Sequence, residues 1–230
     1  MNILAIDTST RTLAMAVIKN GAVAALYNYT RQMRHSKNLI RGLDRVLKEA
    51  RISMRSIDRI ACGVGPGSYT GLRIGHSFVK GLAVSRNIPV IPFSSLELIA
   101  YNIRPKHTTI AVVGNARRGK FYCGIFTRSK NGLRRRCPDS VLSLEETIAL
   151  MKNEDVVAVT GDALEKHNAD LMPHIANKSC LYPARLWCAQ AQNIAAVLST
   201  HSRNASISAA RLVPNYLRIT EAEEKFGRVL

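Results

Sequence analysis

Five glycines and a proline fall within thirteen residues of this chain, Gly63 to Gly75 (GVGPGSYTGLRIG). Backbone N–H groups in such a stretch can wrap a phosphate, and a helix starting there adds the positive end of its dipole. The nucleotide templates nevertheless fail on spacing. A Walker loop needs lysine after its last glycine to reach the terminal phosphates, and Gly71 is followed by Leu72. A G-x-G-x-x-G fingerprint needs glycine at 68 or 70, where the chain has Ser68 and Thr70. A G-x-S-x-G elbow fails because Pro66 stands two before Ser68. What remains is a turn feeding a helix capped by Ser68, with Gly71, Leu72, Gly75, Phe78, Val79 and Leu82 on one broad apolar face. Each glycine inside a helix costs about 1 kcal/mol relative to alanine. Gly71 and Gly75 therefore predict that a second backbone, another helix, packs closely there, rimmed by Tyr69, Arg73, His76 and Lys80.

Other polar candidates are sparse. Asp7-Thr8-Ser9-Thr10 follows a first strand and resembles the first phosphate loop of actin-like kinases, where Asp holds a metal–phosphate complex through water. The same residue types at a strand end also serve simply as a turn. His35 opens a helix, but an H-x-x-x-H metal pair needs a second histidine at 39, where Leu39 stands; no metal site is predicted. Five cysteines, Cys62, Cys123, Cys137, Cys180 and Cys188, form no C-x-x-C pair, so reduced thiols are expected rather than zinc or disulfides.

These residues need a scaffold. Residues 2–6, 13–18 and 22–29 predict three strands in a meander, the last two split by the hairpin pair Asn20-Gly21. Residues 36–51 predict an amphipathic helix with Leu39, Leu43, Val46, Leu47 and Ala50 on one face. Arg34, Lys37, Arg41, Arg45 and Lys48 form a basic stripe opposite, either a solvated face or an RNA contact. A strand at 57–64, a helix at 68–85, a proline-bearing edge strand at 88–92 and a short helix capped by Ser94 or Ser95 follow. The pattern resets near Arg104-Pro105, which predicts two lobes, 1–103 and 104–230. In the second, strands at 108–114 and 120–127 flank a turn carrying two arginines, and a basic loop spans 128–136. A Ser143/Glu146 capping box starts a helix, residues 156–159 form a strand, and residues 184–199 predict one long helix. The fold class is a two-lobed α/β protein.

Composition narrows the partners. With 230 residues, 47% apolar and 21% charged, the chain is a folded protein rather than a disordered one. No apolar run is long enough to span a bilayer, and MNILAIDTST has no basic region ahead of Asp7, so a cytoplasmic location is expected. A formal charge of +17 favours a polyanion such as RNA without locating a site.

Taken together, Ile3-Leu-Ala-Ile-Asp-Thr-Ser9, His35-Ser36, GVGPGSYTGLRIG, NARRGKFY (115–122) and PNYLR (214–218) resemble the bacterial TsaB (YeaZ) family across nearly the whole chain. The resemblance implies an actin/Hsp70/sugar-kinase-like, ribonuclease H-like fold in each lobe. It implies a non-catalytic paralogue of TsaD, which transfers a threonylcarbamoyl group to the adenosine 3′ to the anticodon of tRNAs reading ANN codons. TsaD and the ATPase TsaE are the partners it implies, with ATP used by the complex rather than by this subunit. It also implies a homodimer when the subunit is isolated. The partner contact falls to the two first-lobe helices, here 36–51 and 68–85, and so to His35, Leu39, Leu43, Tyr69, Gly71, Leu72, Arg73, Gly75, Phe78, Val79 and Leu82. Asp7 to Thr10 becomes a vestigial phosphate loop. The family usually has Asp at Asn115 and Glu at Lys120, so the role of that hairpin stays open. Two other readings compete with the scaffold: a kinase-like ATPase (or, on an older label, a peptidase), and a tRNA-binding module using the basic helix and Arg134–Arg136.

Overall fold

Strand residues alternate between the two faces of a sheet, and β1 (Asn2–Asp7) and β2 (Thr12–Lys19) bury both sets. They must lie inside a stack of layers. With β3 (Ala22–Thr30), β4 (Arg59–Gly63) and β5 (Val90–Phe93) they form a sheet of order β3-β2-β1-β4-β5. The first three strands are antiparallel, and β4 and β5 run parallel to β1. This is a ribonuclease H-like order. The structure is a computed structural model describing residues 1–30, 35–105, 108–130, 132–174, 183–200 and 206–218. Asn20 and Gly21 both take the left-handed conformation (φ 51° and 84°), as a two-residue hairpin turn requires.

Two helices, α1 (His35–Glu49) and α2 (Tyr69–Val84), cover one face of this sheet, and Leu39, Val46 and Val79 pack on Leu4, Ile6 and Met15. The opposite face meets α3 (Ser95–Ala100), capped by Ser94. The second sheet pairs β6 (Thr108–Asn115) with β7 (Phe121–Ser129). On its edges lie β8 (Gly132–Arg135) and β9 (Ser140–Leu142), both against β7, and β10 (Ala158–Thr160), parallel to β6. Its outer face is covered by α4 (Leu144–Asn153), which carries the expected capping box, and α5 (Leu164–Leu171). Between the two sheets, Ile3, Ala5, Ala14 and Ala16 share one core with Ile110, Val112 and Phe126, filled by α3 and α6 (Ile194–Thr200). Among the described residues no helix is long and apolar enough to cross a membrane.

Two expectations need correction. Most of the expected basic loop at 128–136 is strand: β7 runs on to Ser129 and β8 spans Gly132–Arg135, with Arg135 paired to Asp139 and stacked over the Phe126 ring. The long helix at 184–199 is instead two 3₁₀ turns, Ala184–Leu186 and Ala191–Asn193, before the shorter α6. Its backbone has better partners than its own helix. The Asn102 amide donates to the Leu186 and Cys188 carbonyls (2.7 and 2.9 Å), and Asn28 Oδ1 accepts from Ala191 N (2.9 Å). Side-chain amides that satisfy these groups, from buried Asn102 and from Asn28 on β3, remove the need for i→i−4 bonds.

Candidate functional site

The close neighbour of the glycine stretch is not a second helix. It is the turn Asp7 to Thr10. A Cβ on Gly63 would run into the Asp7 carboxylate, on Gly67 into Ser9, on Gly71 into the Thr8 carbonyl, and on Gly75 into Thr8 Oγ1. Glycines four apart thus let the exit of β4 and the first turns of α2 lie directly against the β1–β2 turn. Hydrogen bonds fasten the two. Ser68 N donates to the Ser9 carbonyl (2.7 Å), and Thr8 Oγ1 donates to the Gly71 carbonyl (2.8 Å). The carboxylate of Asp7, buried, accepts from Ser9 N, from Ser9 Oγ and from Ser95 Oγ (2.9, 2.7 and 2.5 Å), while Ser95 Oγ accepts from Gly65 N. Its oxygens serve the protein's own groups, and the first turns of α2 lie directly on Thr8 and Ser9. The helix start is capped as expected, Ser68 Oγ accepting from Gly71 N.

Of the residues expected to face a partner, Gly71, Leu72, Gly75 and Val79 are buried within the chain, as is most of Leu39. Leu43, Phe78 and Leu82 are half-buried against the core under α1 and α2. Tyr69 and Arg73 are exposed at the start of α2. The outward face combines three expected residues, Leu39, Arg73 and Phe78, with others the sequence reading passed over, Ile40, Ile74, Ser77 and Val84. Ile40 is 71% exposed and Val84 70%, and Leu39, Ile40, Arg73, Ile74, Ser77 and Phe78 line a shallow groove of about 410 Å³ between the helices. Gly81 stands on the same stripe, and a Cβ there would meet nothing within 4 Å. The 3-4-3 spacing of Ile74, Ser77, Gly81 and Val84 is a second helical seam, and that spacing could have revealed it.

Three of the basic-stripe residues are described in full. Arg45 pairs with Glu49 (2.7 Å) and lies over the Tyr27 ring, Lys48 pairs with Asp44 (2.9 Å), and Arg41 is exposed. This is a helix face laced by i,i+4 pairs. Arg34 and the side chains of His35 and Lys37 lie outside the described residues.

One further polar contact joins the two halves, and others order the second. Arg11, just after the phosphate-loop residues, donates to Glu165 on α5 (2.9 Å). Asp162 accepts from Asn115 N (2.8 Å), and burial pushes its carboxyl above the usual range. Asn115 Oδ1 accepts from Arg117 N (2.7 Å), shaping the turn, and Lys120 lies 3.9 Å from Glu146. Burial lowers the basicity of His76, whose Nδ1 lies 2.8 Å from the Leu72 carbonyl and whose Nε2 faces the Val213 backbone without a full hydrogen bond. Cys62, Cys123 and Cys188 are buried free thiols, with burial pushing Cys123 up to about 12, and Cys137 is free and half-buried. Cys180 lies outside the described residues. The described residues hold no group of three or more potential metal ligands.

Comparison with known proteins follows the same outline. The family model described as "TsaD: tRNA N6-adenosine threonylcarbamoyltransferase" matches residues 30–224. The tRNA threonylcarbamoyladenosine biosynthesis protein TsaB of Bacillus subtilis (strain 168) is 33% identical over 228 residues, 98% of each chain. That of Haemophilus influenzae is 26% identical, over 95% of this chain and 94% of the relative. In fold, the chain is similar to YeaZ from Pseudomonas aeruginosa, with a TM-score of 0.80 at 23% identity, covering 94% of this chain and 99% of that one.

Proposed function

The chain belongs to the TsaB family of tRNA threonylcarbamoyladenosine biosynthesis proteins, and from that premise we propose that it is a non-catalytic subunit that docks TsaD through the outer face of α1 and α2. One observation carries the reading: an apolar helix face that no described residue covers at its open glycine, Gly81. Ile40, Ile74, Phe78 and Val84 supply apolar surface. Gly81 forgoes a side chain at a position where no described residue would lie within 4 Å of a Cβ. A mid-helix glycine that costs about 1 kcal/mol is accounted for when a second helix crosses there at close range. In the absence of TsaD the same face pairs two copies of this chain, and TsaE joins the assembled pair.

Nucleotide turnover belongs to the complex. The filled loop at Asp7 to Thr10 supports this, since α2 and Ser95 already occupy the groups that would hold metal and phosphate. The kinase-like alternative would need that contact to open.

The test is co-purification of the chain with the TsaD of the same organism, alongside a modification assay with and without it. Ile40→Glu and Val84→Glu change exposed side chains and should leave the unfolding midpoint near the parent's. Each should weaken association by at least about tenfold, roughly the 1.4 kcal/mol lost when one well-packed apolar contact is desolvated against charge. Association unchanged in both variants would rule the docking face out, and ATP hydrolysis by the purified chain, abolished in Asp7→Ala, would favour the kinase reading.

A further inference from the structure

Tyr69 and Tyr216 are both substantially exposed, at 41% and 43%, although each comes from a different part of the chain. Their ring centroids lie 4.9 Å apart with the planes tilted by 34°. Arg73, one turn along α2, places its guanidinium 5.3 Å from the Tyr69 centroid and donates to the Tyr69 hydroxyl (3.2 Å). The surface is held in place rather than draped. Asn215 N donates to the Val64 carbonyl (2.7 Å), and Leu217 N to the Asn215 carbonyl (3.1 Å), fixing the backbone on both sides of Tyr216. Two residues on, the Arg218 guanidinium donates to the Ala116 carbonyl and, at 3.5 Å, to that of Arg117. The segment Pro214–Arg218 therefore ties the tyrosines to the β6–β7 turn. In that turn Arg117, Arg118 and Gly119 are all left-handed (φ 64°, 51° and 68°), and Arg117, Arg118 and Lys120 are exposed.

We propose that Tyr69, Tyr216 and Arg73, together with Arg117 and Arg118 of the neighbouring turn, bind unpaired bases of an RNA and the phosphates beside them. Aromatic rings exposed beside arginines are the composition of a single-strand stacking surface: an uncovered ring face accepts any base, and guanidinium groups follow the backbone. A protein partner of ordinary character would find too little apolar area and too much positive charge here. The formal charge of +17 adds long-range attraction for the same ligand. The site is separate from the basic stripe on α1, whose Arg45 and Lys48 pair with Glu49 and Asp44. The proposal rests on the family's place in tRNA modification, but not on docking through α1 and α2.

The experiment is fluorescence anisotropy of the full chain with a labelled single-stranded RNA, the same sequence as a duplex, and a tRNA transcript, with co-purification of TsaD measured in parallel. Tyr216→Ala and Tyr216→Leu should each weaken single-strand binding about five- to a hundredfold, while Tyr216→Phe keeps the parent affinity. Because Leu preserves bulk, loss in that variant with an unchanged melting temperature separates stacking from folding. Arg117→Glu should lower the slope of log K against log salt by about 0.7 per lost phosphate contact. Single-strand binding unchanged in Tyr216→Leu would overturn the proposal. So would duplex binding of equal strength, or loss of TsaD association with RNA affinity unaffected, which would make the surface a protein contact. Ile40→Glu and Val84→Glu should leave RNA affinity at the parent value, so the docking reading and this one can fail separately.

Discussion

Thr8 sits under two glycines of α2 at once, touching the Gly71 carbonyl with its hydroxyl and leaving no room for a Cβ on Gly71 or Gly75. The spacing of those glycines made close packing legible, because a helix does not tolerate two such residues without cause. It could not name the neighbour, since the contacting turn lies some sixty positions upstream and contributes polar rather than apolar atoms. A substitution at Gly75 consequently tests folding and not docking. Gly75→Ala should cost about 1–3 kcal/mol by overpacking, read as a lower urea midpoint. In that position the clash is with a side-chain oxygen, so Thr8→Ala in the same chain should relieve part of the loss. At Gly71 the obstacle is the Thr8 carbonyl itself, and Thr8→Ala should relieve nothing. A double-mutant cycle in which Thr8→Ala recovers stability at Gly75 but not at Gly71 would verify the lock; no recovery at Gly75 would refute it.

At the scale of elements, α2 shows how one helix can serve two neighbours. Gly71, Leu72, Gly75 and Val79 face inward, and Ile74, Ser77, Gly81 and Val84 face outward. The helix itself, its Ser68 cap, the meander ahead of it and the Ser143/Glu146 capping box were all legible from local pattern. What was not legible was which of its two seams the chain would use for itself, because both seams carry glycine and apolar residues at helical spacing. The same limit explains residues 184–199. Alanine-rich sequence favours helix, yet Asn28 and Asn102, more than eighty residues away, capture its backbone. Gly81 gives a direct measure of the outward seam. Gly81→Ala fills open space, so it should raise stability by about 0.5–1 kcal/mol in urea unfolding. It should at the same time weaken co-purification with TsaD. A stabilised chain that still associates at full strength would mean that no helix approaches at that point.

For the whole molecule, the decisive feature is the core between the two sheets. The sequence resets near Arg104-Pro105, and strand pairing changes there from the first sheet to the second. Yet Ile3, Ala5 and Ala16 bury against the same cluster as Ile110, Val112 and Phe126, with Ile194 and Val197 of α6 filling the middle. Patterning along the chain could show that the inner face of each sheet is apolar, but not that the two faces cover each other. A chain cut after residue 103 would leave the inner face of the first sheet bare, together with α3, and it should aggregate rather than fold. The intact chain should accordingly unfold in one transition. Ile194→Ala, in a helix that belongs by sequence to the second half, should cost about 2–5 kcal/mol. Hydrogen exchange should then speed up in β1 and β2 as much as in β6 and β7, since all four lean on the same side chain cluster. Loss of protection confined to the second sheet would show instead that the halves are stable separately and that the shared core only docks them. That outcome would bear on function too, because α1 and α2 would then present their outer face on a half able to move independently of the arginine-bearing turn.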